Sequence, residues 1–192
     1  MRFEQVFAKE RERYVEFLAE TIAAVGRKFP GAAGELLISV NNDAIPYPYR
    51  YVRVDVIATL PDGNPKLYQV KLDVDPAFAA GNFTLGECTV EVRPFTWESI
   101  QLVVNYPIVH EALVALEAWI TRWLDIEDLQ PTNAAGTCQT VHSFTQVETD
   151  GTWWFFTGDF GSAPTAALLE LLALLVNQGA THIVIRNGDD GA

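Results

Sequence analysis

Long apolar runs, catalytic signatures and basic residues in the second half are what this sequence lacks. None of its 192 residues belongs to a run approaching the ~18 to 20 apolar positions of a membrane-spanning helix. The opening Met1-Arg2-Phe3-Glu4-Gln5 places an acid at its fourth position, and no signal-type h-region or cleavage site follows, which points to a cytoplasmic protein. Cysteine is scarce. Cys88 and Cys138 are far apart and neither belongs to a CxxC; a disulfide and two buried free thiols both fit the spacing, the second better. The three histidines, His110, His142 and His182, show no HxxxH or HExxH spacing, and no neighbouring Cys or acid completes a usual zinc set. They read as surface or core histidines, each with a local hydrogen bond. No GxGxxG or Walker-type loop is present, so neither a metal nor a nucleotide cofactor is expected.

Two short strings imitate catalytic motifs. Asp159-Phe160-Gly161 spells a kinase metal-binding triplet, but no glycine-rich loop, VAIK lysine or HRD loop accompanies it. Pro61-Asp62 followed by Gln69-Val70-Lys71 faintly resembles a PD-(D/E)xK nuclease pattern. Gln69 stands where an acid is needed, and Asp62 is better explained by an Asp-Gly turn. Ser162 follows a strand and precedes a helix, the context of a nucleophile elbow, yet the flanking glycines are wrong and only His182 follows as a base.

Charge of one sign dominates. Thirteen basic and 25 acidic residues give a net charge of −12, and the imbalance is concentrated. Residues 106–192 hold eleven acids against only Arg122 and Arg186. Such a field repels phosphate backbones and anionic lipid, which argues against nucleic acid and membrane surfaces as partners and suits a basic protein. Acidity for solubility alone is the competing explanation.

With 49% hydrophobic residues, the chain can build a substantial core. Residues 3–29 carry apolar positions at helical spacing, stopped by Pro30-Gly31. Alternating runs at Leu36–Val40, Val52–Leu60, Tyr68–Val74, Cys88–Val92 and Ile100–Val104 predict an antiparallel β-meander covered on one face. Its other face (Arg53, Asp55, Lys71, Asp73, Glu91 and Arg93) is expected to be solvated, with charges pairing across strands. A second helix is expected from Asn105-Tyr106-Pro107, with Asn105 as N-cap, followed by a loop over 128–137. A strand near 139–147 and one at 153–157 form a hairpin about Asp150-Gly151. A very apolar helix, 163–176, and a strand at 182–186 then complete a strand–helix–strand unit. That helix, with Glu170 its only charge, is expected to be the most buried. The fold class is therefore α+β: a meander with an N-terminal and a central helix packed on one face, then a hairpin and the C-terminal strand–helix–strand. One domain over 1–192 is expected; a subdivision into 1–128 (helix–meander–helix) and 138–192 is the alternative.

For function, small size, one-sided acidity and missing motifs point to a non-enzymatic protein-binding module, an acidic immunity or inhibitor protein that neutralises a basic toxin or effector. Element order alone is similar to that of acidic secretion chaperones. A small hydrolase without a linear motif, using Ser162 or the strand acids Asp55, Asp73 and Glu91, is the third reading. Partner-binding candidates are the acids Asp125, Glu127, Asp128, Glu148 and Asp150, expected to form one continuous surface. Tyr47 and Tyr49 join them, held in a stiff Pro-Tyr-Pro-Tyr loop that suits a contact surface or a covered sheet edge. Asp125 to Asp128 oppose a helix dipole, so either the helix stops by Leu124 or these acids act outside it. Reversing Asp125, Glu127 and Asp128 to Lys is expected to leave stability little changed.

Overall fold

The computed structural model describes residues 2–72, 76, 78–105 and 110–188. Among them the chain forms helices α1 (Phe3–Lys28), α2 (His110–Trp123) and α3 (Thr165–Asn177) and ten strands: β1 (Ala33–Ser39), β2 (Tyr51–Thr59), β3 (Pro65–Tyr68), β4 (Gly81–Leu85), β5 (Cys88–Val92), β6 (Ile100–Val104), β7 (Ser143–Phe144), β8 (Glu148–Thr149), β9 (Trp154–Asp159) and β10 (His182–Asn187). The mixed α+β class read from the sequence holds. None of the described helices is long and apolar enough to cross a membrane.

The meander divides between two sheets. Strands β1, β2 and β3 form an antiparallel sheet in that order. The larger sheet runs β4-β5-β10-β6-β9-β7, with β8 also on β9. All its pairs are antiparallel except β5 with β10. Because β9 and β10 both flank β6 antiparallel, they run parallel to each other, and α3 makes the crossover that such a pair requires. Residues 139–147 contribute only β7 to regular pairing: the Val141 N–H turns instead to the carbonyl of Trp123. Asn105 does not present its side chain as a helix cap; its carboxamide oxygen accepts the N–H groups of Thr181 and His182. The proposed Pro107 start of the second helix lies outside the described residues.

One core joins the helices to the large sheet. Phe7, Tyr14 and Leu18 of α1, Leu116 and Ile120 of α2, and Leu168, Leu171 and Leu172 of α3 pack with Val90, Leu102, Phe156 and Ile183. A smaller cluster of Val25, Val56 and Ala58 fixes α1 to β2. Both cysteines are buried free thiols. Helix α3 has the largest buried share of the three helices, with Ala167, Leu168, Leu171, Leu172 and Leu175 inside, although Leu169 remains 37% exposed. Leu171→Ala and Leu172→Ala should each lower unfolding free energy by ~2–5 kcal/mol in urea titrations, whereas Leu169→Ala should cost about 1 kcal/mol or less.

Candidate functional site

Two residues assigned to a solvated face, Arg53 and Asp55, are only 4% exposed. Of the rest of that set, Lys71 and Arg93 are exposed and Glu91 is half-buried, while Asp73 lies outside the described residues. The reason for the difference is the register. Pairing of Gly34 with Val56 and of Leu36 with Val54 sets Glu35 opposite Asp55 on adjacent strands, and residues 142–163 close over them. Two like charges in that relation repel. His142 answers the repulsion. Its Nε2 lies 2.6 Å from Glu35 Oε1, while Nδ1 lies 2.8 Å from Asp55 Oδ1 and 3.7 Å from Asp159 Oδ2.

Each member is held from outside the cluster. The Tyr14 hydroxyl donates to Asp55 Oδ1 at 2.9 Å, and the Val70 N–H donates to Asp55 Oδ2 at 2.5 Å. Glu35 accepts the backbone N–H groups of Cys138 and Ser162. Asp159 Oδ1 accepts the Gly161 N–H at 2.8 Å. Gly161, at φ +48°, is where a side chain is least tolerable, because a Cβ there would sit 2.1 Å from the His142 ring. Backbone strain gathers at the same place and its border. Among the described residues, the non-glycine ones in the left-handed region are Glu35, Asp125, Asp128 and Gln139, each a costly conformation that surrounding contacts must enforce.

Burial alone would raise the Glu35 pKa, but His142, with Ser162 and Cys138, holds it below its ordinary value. Burial would lower that of His142, but Asp159, Asp55 and Glu35 outweigh this and leave it well above the ordinary imidazole range. Burial pushes the Asp159 carboxyl up against the opposing pull of His142. Burial, reinforced by Asp159 and Asp55, keeps the Tyr14 phenol neutral. A cavity of about 290 Å³, lined by Arg53, Asp55, Tyr68, Gln69, Ser143 and Asp159, opens beside the cluster. Ser162 is fully buried, and His182 sits with Glu91 and Trp153, so these two do not form a nucleophile and base. His142, Glu35 and Asp159 were missed by sequence reasoning; the available signal was two charges, Arg53 and Asp55, inside an otherwise apolar strand.

Arg53 ties this cluster to an acidic corner. Its guanidinium donates to the carbonyls of Glu35, Leu124 and Asp125 and to the carboxylates of Asp125 and Asp128, and its own N–H donates to the carbonyl of His142. Helix α2 does stop at Trp123, and the acids that follow have a structural employment. Asp125 also accepts the N–H groups of Leu129 and Gln130 and is only 8% exposed. The Asp128 side chain is 61% exposed despite its Arg53 contact, and Glu127 is exposed. Tyr47 joins this corner: its hydroxyl meets that of Thr121 at 3.1 Å, and the Thr121 carbonyl accepts the Ile126 N–H. Tyr49 is half-buried, its phenol pushed up to about 12 by burial and by Glu117. Glu148 and Asp150 are exposed but sit elsewhere. Glu148 pairs beside Phe155, whereas the Arg53–His142 contact lies at the Asp159 end of β9, ~13 Å away at the usual strand rise.

Comparisons of the chain with family models, with curated proteins and with solved structures give no match. The acids of the corner are not equivalent, which corrects the expectation that reversing all three spares stability. Asp125→Lys would set a second cation against buried Arg53 and should cost ~3–5 kcal/mol. Glu127→Lys should stay within about 0.5 kcal/mol of wild type. Urea unfolding of the two single variants measures the difference.

Proposed function

We propose that this protein is a non-enzymatic binding module whose acidic corner captures a basic protein partner, as an immunity or inhibitor protein would neutralise a basic toxin or effector. The observation that carries this reading is the meeting of Tyr47, 47% exposed, with the turn that bears Glu127, Asp128 and the 73% exposed Leu129. Apolar and aromatic anchors edged by charge have the anatomy of an interface: the anchors supply desolvated contact, and the rim supplies steering and selection. Arg53 gives the corner a rigid mount, since the turn is bound to a buried guanidinium.

Only the protruding acids remain available for a partner, and their surplus is real. In the second half of the chain Arg122 is paired with Glu170, and Arg186 is bonded to Gln101. Glu148 and Asp150, at the far end of β9, belong to the wider negative field.

The test is capture of a partner from source-cell lysate by the full chain, followed by association kinetics with that purified partner. A basic partner is expected, with an on-rate that falls steeply between low and physiological salt, where charges beyond ~8 Å are screened. Glu127→Lys should lower the on-rate, and Tyr47→Ala should raise the off-rate by tenfold or more if the ring is an anchor. An acidic partner, or association indifferent to both salt and Glu127→Lys, overturns the reading.

A further inference from the structure

We infer that Asp55, His142 and Asp159 form a binding site for one divalent transition-metal ion at the inner wall of the cavity beside β2. The donor atoms are already gathered: one atom from each of the three residues lies within 4.8 Å of the others. Ligands ~2.0–2.2 Å from a common tetrahedral ion stand ~3.4 Å apart. The separations of His142 Nδ1 from Asp55 and Asp159, 2.8 and 3.7 Å, bracket that value.

Proximity of acids alone would mean little, and the histidine supplies the independent sign. His142 Nδ1 is buried and makes no hydrogen bond, although Asp55 Oδ1 is only 2.8 Å away. The two atoms are near each other without being aligned for a proton to lie between them. Ligands converging on a third atom have that relation. The opposite ring nitrogen is fixed: Nε2 meets the carboxylate of Glu35 at 2.6 Å. A carboxylate that accepts the Nε2 proton aims Nδ1 at the two aspartates, and an ion binding there displaces the Nδ1 proton, with Glu35 in the outer-sphere place usual for metal-bound imidazole.

The other two ligands have outer-sphere partners as well. Tyr14 donates to Asp55, and the Gly161 N–H donates to Asp159. The charge balance points the same way. Three carboxylates, Glu35, Asp55 and Asp159, surround one imidazole; Arg11, bonded to the carbonyls of Ser162 and Ala163, acts on Glu35 alone of the three, and Arg53 is committed to Asp125 and Asp128. A dication would satisfy the deficit that His142 meets only in part. One nitrogen and two oxygens suit Zn²⁺ or Mn²⁺ better than Ca²⁺ or Mg²⁺, which prefer all-oxygen shells. The cavity leaves the remaining coordination positions open to water or a small oxygen ligand.

The full chain, stripped of metal by chelator and dialysis, is titrated calorimetrically with Zn²⁺ and with Mn²⁺. The expected result is one site per chain and a melting temperature that rises with metal concentration. Asp159→Asn is the informative variant, because its amide oxygen can keep the Gly161 hydrogen bond while the ligating oxygen is lost. It should bind Zn²⁺ at least tenfold more weakly with native circular dichroism. Glu35→Gln, acting through His142, should weaken binding about 10–100-fold. His182→Ala, remote from the cluster, should bind as wild type. The proposal is overturned if wild type takes up neither ion, if Asp159→Asn binds Zn²⁺ as tightly as wild type, or if His182→Ala abolishes uptake.

Discussion

The constraint around which the structure is organised is a repulsion. Antiparallel pairing of β1 with β2 places Glu35 and Asp55 opposite each other, in a position that the large sheet and the chain after α2 then cover. A buried carboxylate needs a partner or a proton, and here the partner must come from another part of the chain. His142 fills the gap between the two acids, and Arg53, beside Asp55 on the same strand, draws in the turn after α2. The small sheet, the end of α2, the 137–142 segment and the β9–α3 turn are thereby bound to one another by charge-assisted contacts, not by apolar packing alone. Such contacts add little net stability over apolar replacements but are costly to break singly, so they fix how the two sheets meet more than how strongly.

Much of the secondary structure was legible because periodicity is a local property. Helix α1 ends two residues before the Pro30-Gly31 stop, and α3, β9 and β10 fall close to where their apolar patterns place them. What periodicity cannot report is the identity of the neighbour. Alternation along β2 correctly marks Arg53 and Asp55 as sharing a face, but a face turned to water and a face turned to a buried ionic cluster have the same pattern. The division of the meander into two sheets and the parallel β5–β10 pair depend on strands distant in sequence. His142 carried no linear signal for the same reason: its partners lie 87 and 107 residues earlier and 17 residues later in the chain.

The corner and the cluster share Arg53 without sharing a task. One side of the guanidinium holds the carbonyl of Glu35, and the other holds the 125–128 turn. A partner seated against Glu127, Asp128 and Tyr47 would therefore meet a surface whose backbone is already fixed. Surfaces prepared in this way lose less conformational freedom on association. The left-handed conformations of Asp125 and Asp128 belong to the same arrangement, since the turn is held open toward solvent by the groups behind it.

The 107 residues separating Glu35 from His142 also bear on how the chain is made. Synthesis proceeds from the N-terminus at ~5–20 residues per second, so Glu35 precedes its imidazole by roughly 5–20 s. Through that interval β1 and β2 can pair only with their acids still hydrated, because the groups that would compensate burial have not been synthesised. The junction between the sheets is thus barred from closing early by its own electrostatics. The nascent N-terminal half must wait, open at that seam, until the second half arrives to seal it.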